Sequence, residues 1–268
     1  MNAMTDPRCN TDRAQQRTDG LVQRRAVAVP RGVSQAHPVF VSHASNAELW
    51  DVEGRRFIDF CGGIAVVNTG HFHPRVIQAV VAQLENLTHT CFQVAAYDAD
   101  VSFAERLNDL APGTAAKKTF FMSTGAEAIE NLVKIARAST GRSGIVAFTG
   151  AFHGRTMMAL ALTGKVEPYK ARFGPYSAEV FHAPYPCALH GTSVDDSIRR
   201  LEVALKTEIE PRRLAAVVVE PVQGEGGYYM APPEFMWRLG KLCEFRLAYP
   251  LPVGRRNFER NSEEVNNG

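Results

Sequence analysis

Apolar residues recur at helical spacing in three stretches of the chain. Val76, Val80, Val81 and Leu84 fall on one face between Pro74 and Leu87, and Pro74 sits in the first turn, where a missing N–H costs little. Ala99 to Leu110 predicts a second helix, ended by Pro112-Gly113. Ile129, Leu132, Val133 and Ala136 form the stripe of a third, which begins at Glu127 and stops at Gly141. Short continuous apolar runs predict buried strands at Lys118–Met122, Gly144–Phe148 and Ala215–Glu220, the last closed by Pro221. Strand, crossover helix, strand is a βαβ unit. The predicted fold class is therefore α/β, a mainly parallel sheet with helices on both faces. Alternation on either side of Glu53-Gly54 predicts a hairpin within residues 48–60, and the glycine-punctuated residues 61–70 read as a close-packed passage rather than a helix.

The same pattern divides the chain. Residues 1–20 offer no apolar periodicity and read as a flexible arm; residues 21–70 are mixed, with short strands; residues 71–243 carry the α/β order. After Cys243 two prolines and no clean period lead into a polar end, so residues 244–268 read as a disordered tail. Across 268 residues the chain is 45% hydrophobic and 22% charged, the composition of a globular protein. Thirty basic against 28 acidic residues give a net charge of +2, no electrostatic case for nucleic acid. No apolar run approaches the ~18 residues of a membrane helix, and the polar start lacks the core of a secretory signal. Five widely spaced cysteines without a C-x-x-C fit reduced thiols, and the expected location is the cytoplasm.

Three predicted strand ends carry candidate chemistry. Ser123-Thr124-Gly125-Ala126-Glu127 places small residues where a strand meets a helix, a ready site for phosphate because free N–H groups and the helix dipole converge there. A plain N-terminal cap accounts for the same residues. Gly150-Ala151-Phe152-His153-Gly154-Arg155-Thr156 brings an aromatic that can stack on a planar ring and a guanidinium that can grip a carboxylate; a glycine-bounded loop with a surface arginine is the plainer alternative. Glu220-Pro221-Val222-Gln223-Gly224-Glu225 follows a valine run with a carboxylate that is expensive to bury alone, or else forms a glycine-rich turn. His71-Phe72-His73 has no third ligand nearby and reads as two ordinary histidines.

In this order the segments resemble the class III pyridoxal-phosphate-dependent aminotransferases, closest to the 4-aminobutyrate branch. The carrying stretches are WDVEGRRFIDFCGGIAVVNTGHFHPRV, THTCFQVAAY, FFMSTGAEAIENLVKIARAST, GAFHGRT, LALTGKVEPYK, APYPCALHG and VVVEPVQGEGGYY, over about residues 20 to 243. The resemblance implies a fold-type I architecture. Residues 21–70 then start the small domain and 71–243 form part of the cofactor-binding large domain. It implies pyridoxal 5'-phosphate as cofactor, an ω-amino acid and a 2-oxo acid as substrates, and a family homodimer. By position, Gly125 and Ala126 match the cofactor-phosphate site. Phe152 matches the aromatic on the pyridine ring, with His153 beside it, and Glu220 matches a carboxylate near the cofactor. Arg155 matches the grip on the remote substrate carboxylate, Ile64 an apolar wall of that pocket, and Glu225 a glutamate that family members pair with a later arginine. Gln223 belongs to the same rim.

The resemblance stops at Cys243. The Asp-Glu-Val-Gln motif, whose aspartate pairs with the pyridinium nitrogen, has no counterpart, and neither has the Schiff-base lysine. The chain holds seven lysines, Lys117, Lys118, Lys134, Lys165, Lys170, Lys206 and Lys241, and none stands at that position. The expectation is a C-terminally truncated or frameshifted aminotransferase without activity of its own. The alternative is a non-catalytic fragment that binds a phosphorylated ligand or docks on a full-length subunit.

Overall fold

A computed structural model describes residues 7–113 and 115–247. The chain separates into two compact units, Met1–Phe103 and Ala104–Gly268.

In the first unit, helix α1 (Pro7–Ala28) occupies most of the stretch read as a flexible arm. Its sequence carries no apolar stripe, which is why periodicity does not reveal it. Strands β1 (Val41–Ser45), β2 (Glu48–Asp51) and β3 (Arg56–Ile58) form an antiparallel sheet in that order, and β2–β3 is the predicted hairpin. Its turn is held by Asp51, whose carboxylate accepts from Glu53 N at 3.0 Å and Arg55 N at 2.8 Å, and from Arg55 Nε at 2.7 Å. His43 stacks on Trp50 with centroids 4.7 Å apart. A single turn, α2 (Gly62–Ala65), follows; Gly63 and Ile64 inside it have non-helical, positive φ. The Asp59 carboxylate caps this turn from below, accepting from Cys61 N, Gly62 N and His71 Nε2 at 2.9–3.0 Å. His71 is thereby committed to a carboxylate, and no group of three metal-ligating side chains occurs among the described residues. Helix α3 (Pro74–Asn86) and helix α4 (Asp98–Leu110), which runs across the division between the units, stand within a residue or two of their predicted bounds.

The second unit is built on three parallel strands: β4 (Gly144–Phe148) at the centre, β5 (Val180–Ala183) and β6 (Leu214–Val217) at its sides. Helices α5 (Gly125–Thr140) and α6 (Met157–Leu162) cover one face. On the other lie α7 (Val194–Thr207) and α9 (Pro233–Leu247), after the short elements β7 (Val222–Gln223), α8 (Gly224–Gly227) and β8 (Tyr229–Met230). Side chains alternate across β4 as the pleat requires. Ile145 and Ala147 pack with Val133, Met158 and Leu162, whereas Val146 and Phe148 pack with Leu201, Leu205, Phe235 and Leu239. Both faces of β4 are buried, hence its unbroken apolar run.

Strand β6 ends at Val217, three residues short of the predicted Glu220. Lys118–Met122 forms no strand. An apolar segment becomes a strand only beside a partner, and here Phe120 and Met122 line a cavity of about 500 Å³ together with Leu132, Ala216 and Val217 instead of pairing with β6. Helix α9 runs on through Leu247, four residues into the stretch read as tail; residues 248–268 of that stretch lie outside the described residues.

Candidate active site

Parallel sheets place ligand-binding loops at the carboxyl ends of their strands. The loop after β4, the loop after β6 and the first turn of α5 meet there in the second unit. Helix α5 starts at Gly125, two residues earlier than predicted, and Thr124 caps it by accepting from Glu127 N at 3.1 Å. Its far end is closed by Gly141, left-handed at φ 66°. The first-turn amides of Gly125 and Ala126 have no acceptor within the helix. No heavy atom beyond its chain neighbours and its own helix lies within 4 Å of where a Cβ on Gly125 would sit.

Gly154 ties this turn to the loop after β4. It holds φ +119°, and a Cβ there would come 2.7 Å from Ala126 Cβ and 3.0 Å from Ala126 Cα. Only a residue without a side chain admits both the conformation and the approach. Two residues back, the backbone N–H of Phe152 donates to Glu220 Oε2 at 3.1 Å, which joins the loop after β6 to the same place. Burial pushes the Glu220 carboxyl above its ordinary range, the Phe152 N–H opposes that, and Glu225 adds to it. Tyr185 donates its hydroxyl to the Glu220 carbonyl at 3.1 Å; burial first, then the Glu220 charge, pushes it up to about 12. It stays a donor at any ordinary pH.

The remaining predicted residues divide by environment. Arg155 is exposed, its guanidinium 5.7 Å from the centroid of the Tyr169 ring. Glu225, also exposed, accepts from Tyr169 Oη at 2.6 Å. Phe152 is half-buried, its ring 4.8 Å from that of Tyr169 and tilted by 52°. His153 is 7% exposed. Its backbone N–H donates to Thr163 Oγ1 at 3.2 Å, while the ring Nε2 is buried with no partner. Burial, and secondarily His182, lowers its imidazole to about 4, so it is neutral near pH 7. Gln223 is 2% exposed and donates to the Thr149 carbonyl at 2.9 Å, fixing the start of the Gly150 loop. Ile64 lies in the first unit, 82% exposed at φ 61°.

Tyr169 was not among the residues the sequence singled out, yet it touches Phe152, Arg155 and Glu225 together. Its only sequence signal is an aromatic in the Gly-Lys-Val-Glu-Pro-Tyr-Lys loop, fourteen residues beyond Arg155. Lys165 of that loop donates to the Glu225 carbonyl.

Comparison with known proteins places this geometry in context. Residues 28–246 match the family described as aminotransferase class-III. The 5-aminovalerate aminotransferase of Pseudomonas putida is 57% identical over 226 residues, 84% of this chain and 53% of that protein. The 4-aminobutyrate aminotransferase of Escherichia coli K12 is 56% identical over 224 residues, with the same two shares. Among solved structures, the ornithine aminotransferase of Toxoplasma gondii superposes with a TM-score of 0.71 at 28% identity, over 85% of this chain and 51% of its own. The chain spans about half the length of the relatives it matches.

Proposed function

This chain belongs to the class-III aminotransferases, a family of pyridoxal-phosphate-dependent transaminases, and from that premise we propose that its strand-end loops form part of a site for transferring the amino group of an ω-amino acid. The substrate class is 4-aminobutyrate or 5-aminovalerate, with 2-oxoglutarate as acceptor. Relatives at 56% and 57% identity carrying those two names support this reading.

The residues present suit the cofactor. When bound, pyridoxal phosphate acts as an electron sink for the substrate carbon. The uncommitted amides of Gly125 and Ala126, at the positive end of α5, would hold the phosphate. Phe152 supplies a face for the ring. Glu220, tethered by the Phe152 N–H, stands as the carboxylate beside it. Arg155 binds the carboxylate remote from the reacting amine, and Tyr169, beside Arg155, donates to Glu225 at 2.6 Å. The observation that carries the proposal is the close approach of Gly154 to Ala126 with Phe152 bonded to Glu220, which draws three loops into one contact.

These 268 residues do not by themselves turn over substrate in this reading. Proton transfer at the substrate carbon needs a lysine held over the cofactor. Lys165 donates to the Glu225 carbonyl and Lys170 to the Thr163 carbonyl at 3.1 Å, with Tyr176 beside it, and neither matches the family's lysine.

Equilibrium dialysis of the chain with pyridoxal phosphate tests the site. Saturable binding that is lost in Gly125→Asp, where a carboxylate meets the phosphate, is the expected result. Binding that survives Gly125→Asp sinks the phosphate assignment. Turnover of 4-aminobutyrate together with a borohydride-trapped lysine adduct sinks the claim of inactivity. In an intact relative, replacing the arginine matching Arg155 raises KM for the ω-amino acid; an unchanged KM removes its assigned role.

A further inference from the structure

Arg155 and Glu225 are opposite charges on one phenol, yet no ion pair joins them. The Arg155 guanidinium lies 5.7 Å from the centroid of the Tyr169 ring, and Glu225 Oε2 accepts from Tyr169 Oη at 2.6 Å. Both charged residues are exposed. Among the described residues Arg155 has no hydrogen bond and no ion pair. Other arginines of this chain take the carboxylate nearest them: Arg55, Arg56, Arg199, Arg213 and Arg238 all do.

The tyrosine between the two charges is fixed from several sides. Its ring meets that of Phe152 at 4.8 Å. The next residue, Lys170, donates from Nζ to the Thr163 carbonyl at 3.1 Å and from its backbone N–H to the Val166 carbonyl at 2.6 Å, which ties the loop down. Across from it, Gln223 anchors the start of α8 by donating to the Thr149 carbonyl, and Lys165 donates to the Glu225 carbonyl. The backbone at Glu225 is therefore held, and the freedom left is rotation of its side chain. The hydrogen bond to Glu225 first, and then burial, push the Tyr169 phenol above its ordinary value, with the Arg155 charge opposing. The phenol stays a donor at neutral pH, and a hydrogen bond to a charged acceptor is stronger than one between neutral groups.

We propose that Tyr169 is a positioning residue: its hydroxyl holds the Glu225 carboxylate and so keeps the Arg155 guanidinium open to an incoming carboxylate. That Arg155 serves a substrate carboxylate rests on the function proposed above; the restraint on Glu225 does not. Without the hydroxyl, Glu225 Oε2 loses its donor. Lys165 is already committed to the Glu225 carbonyl, and the planar fork of Arg155 matches a carboxylate better than an ammonium does. The Glu225 side chain then turns to Arg155, and a substrate carboxylate has to displace it.

Arginine modification by 4-hydroxyphenylglyoxal, with Arg155 followed by peptide mass spectrometry, reads whether the guanidinium is paired. Expected in the full chain is a rate at Arg155 that falls about two- to fivefold in Tyr169→Phe, the range of an exposed ion pair. The rate returns to its natural value in the double variant Tyr169→Phe/Glu225→Gln. An unchanged rate in Tyr169→Phe overturns the proposal, as does slowing that persists in the double variant. Arg142, only 8% exposed, is the internal gauge of folding, because it is labelled quickly only in an opened chain. Should Tyr169→Phe open the chain, Glu225→Gln alone decides. Arg155 is expected to keep its natural rate there; acceleration means that Glu225 already pairs with Arg155, which overturns the proposal. Glutarate in excess also slows Arg155 in the natural chain. If it does not, the carboxylate grip of the proposed function falls, while the Tyr169→Phe comparison still upholds or overturns the restraint on Glu225.

Discussion

Take a solution of the protein from neutral pH toward pH 4, and the His153 imidazole must acquire a charge in a place that offers it no partner. Its Nε2 is buried without a hydrogen bond, the residue is only 7% exposed, and His182 adds like charge. The folded value of about 4 lies below the ordinary 6.5. A base with a depressed folded value contributes stability above its unfolded value and loses it as pH falls toward the folded one. Stability therefore declines between about pH 6.5 and 4, and the span corresponds to roughly 3 kcal/mol from this side chain. Urea unfolding followed by circular dichroism at several pH values, for the natural chain and His153→Gln, measures it. The two stability curves converge as pH falls, because Gln has no proton to take up. His182, also lowered by burial, stays in both proteins and cancels in the comparison. Parallel curves across the window, or a His153 ring that titrates near 6.5 by NMR, would refute the reasoning.

Other substitutions probe separate links. Gly154→Val puts a branched Cβ against Ala126 at a φ closed to it, so destabilisation of about 2–4 kcal/mol is expected by the same unfolding assay. A loss below about 1 kcal/mol would mean that the two loops do not touch. Glu220 has a carboxyl raised by burial, so the folded state takes up protons and its charge costs stability as pH rises above the ordinary carboxylate range. Glu220→Gln removes that cost and keeps an oxygen for the Phe152 N–H, making the variant more stable at pH 7 in thermal melts while weakening pyridoxal phosphate binding. Phe148→Ala empties the centre of the sheet, where Phe148 meets Tyr185 and Phe235 edge-on at 6.3 and 5.5 Å. A loss of about 3–5 kcal/mol in unfolding free energy is expected.

What could be read from residue order was whatever short-range pattern decides. The β4 run and the α5 stripe ending at Gly141 are local signals, and the structure places them within two residues. Of the candidate site residues, those on glycine-bounded strand ends were visible for the same reason. The strand at Lys118–Met122 was not, because a strand is a property of two segments, and the neighbouring one cannot be inferred from the first. Tyr169 escaped notice because its contacts with Phe152, Arg155 and Glu225 span up to 56 residues of chain.

Sequence alone thus determined the fold class and the family resemblance, since apolar period, glycine and capping chemistry act over a few residues. Tertiary structure decided the rest. Burial is set by what packs from far along the chain, and burial turned His153 into a neutral base and raised Glu220. It likewise decided that Gly154 is a contact with Ala126 and not only a turn, and that Arg137 and Arg142 share a cleft with Arg212 and Arg213 from some seventy residues along the chain. Distances of that kind exist only after the chain has closed on itself.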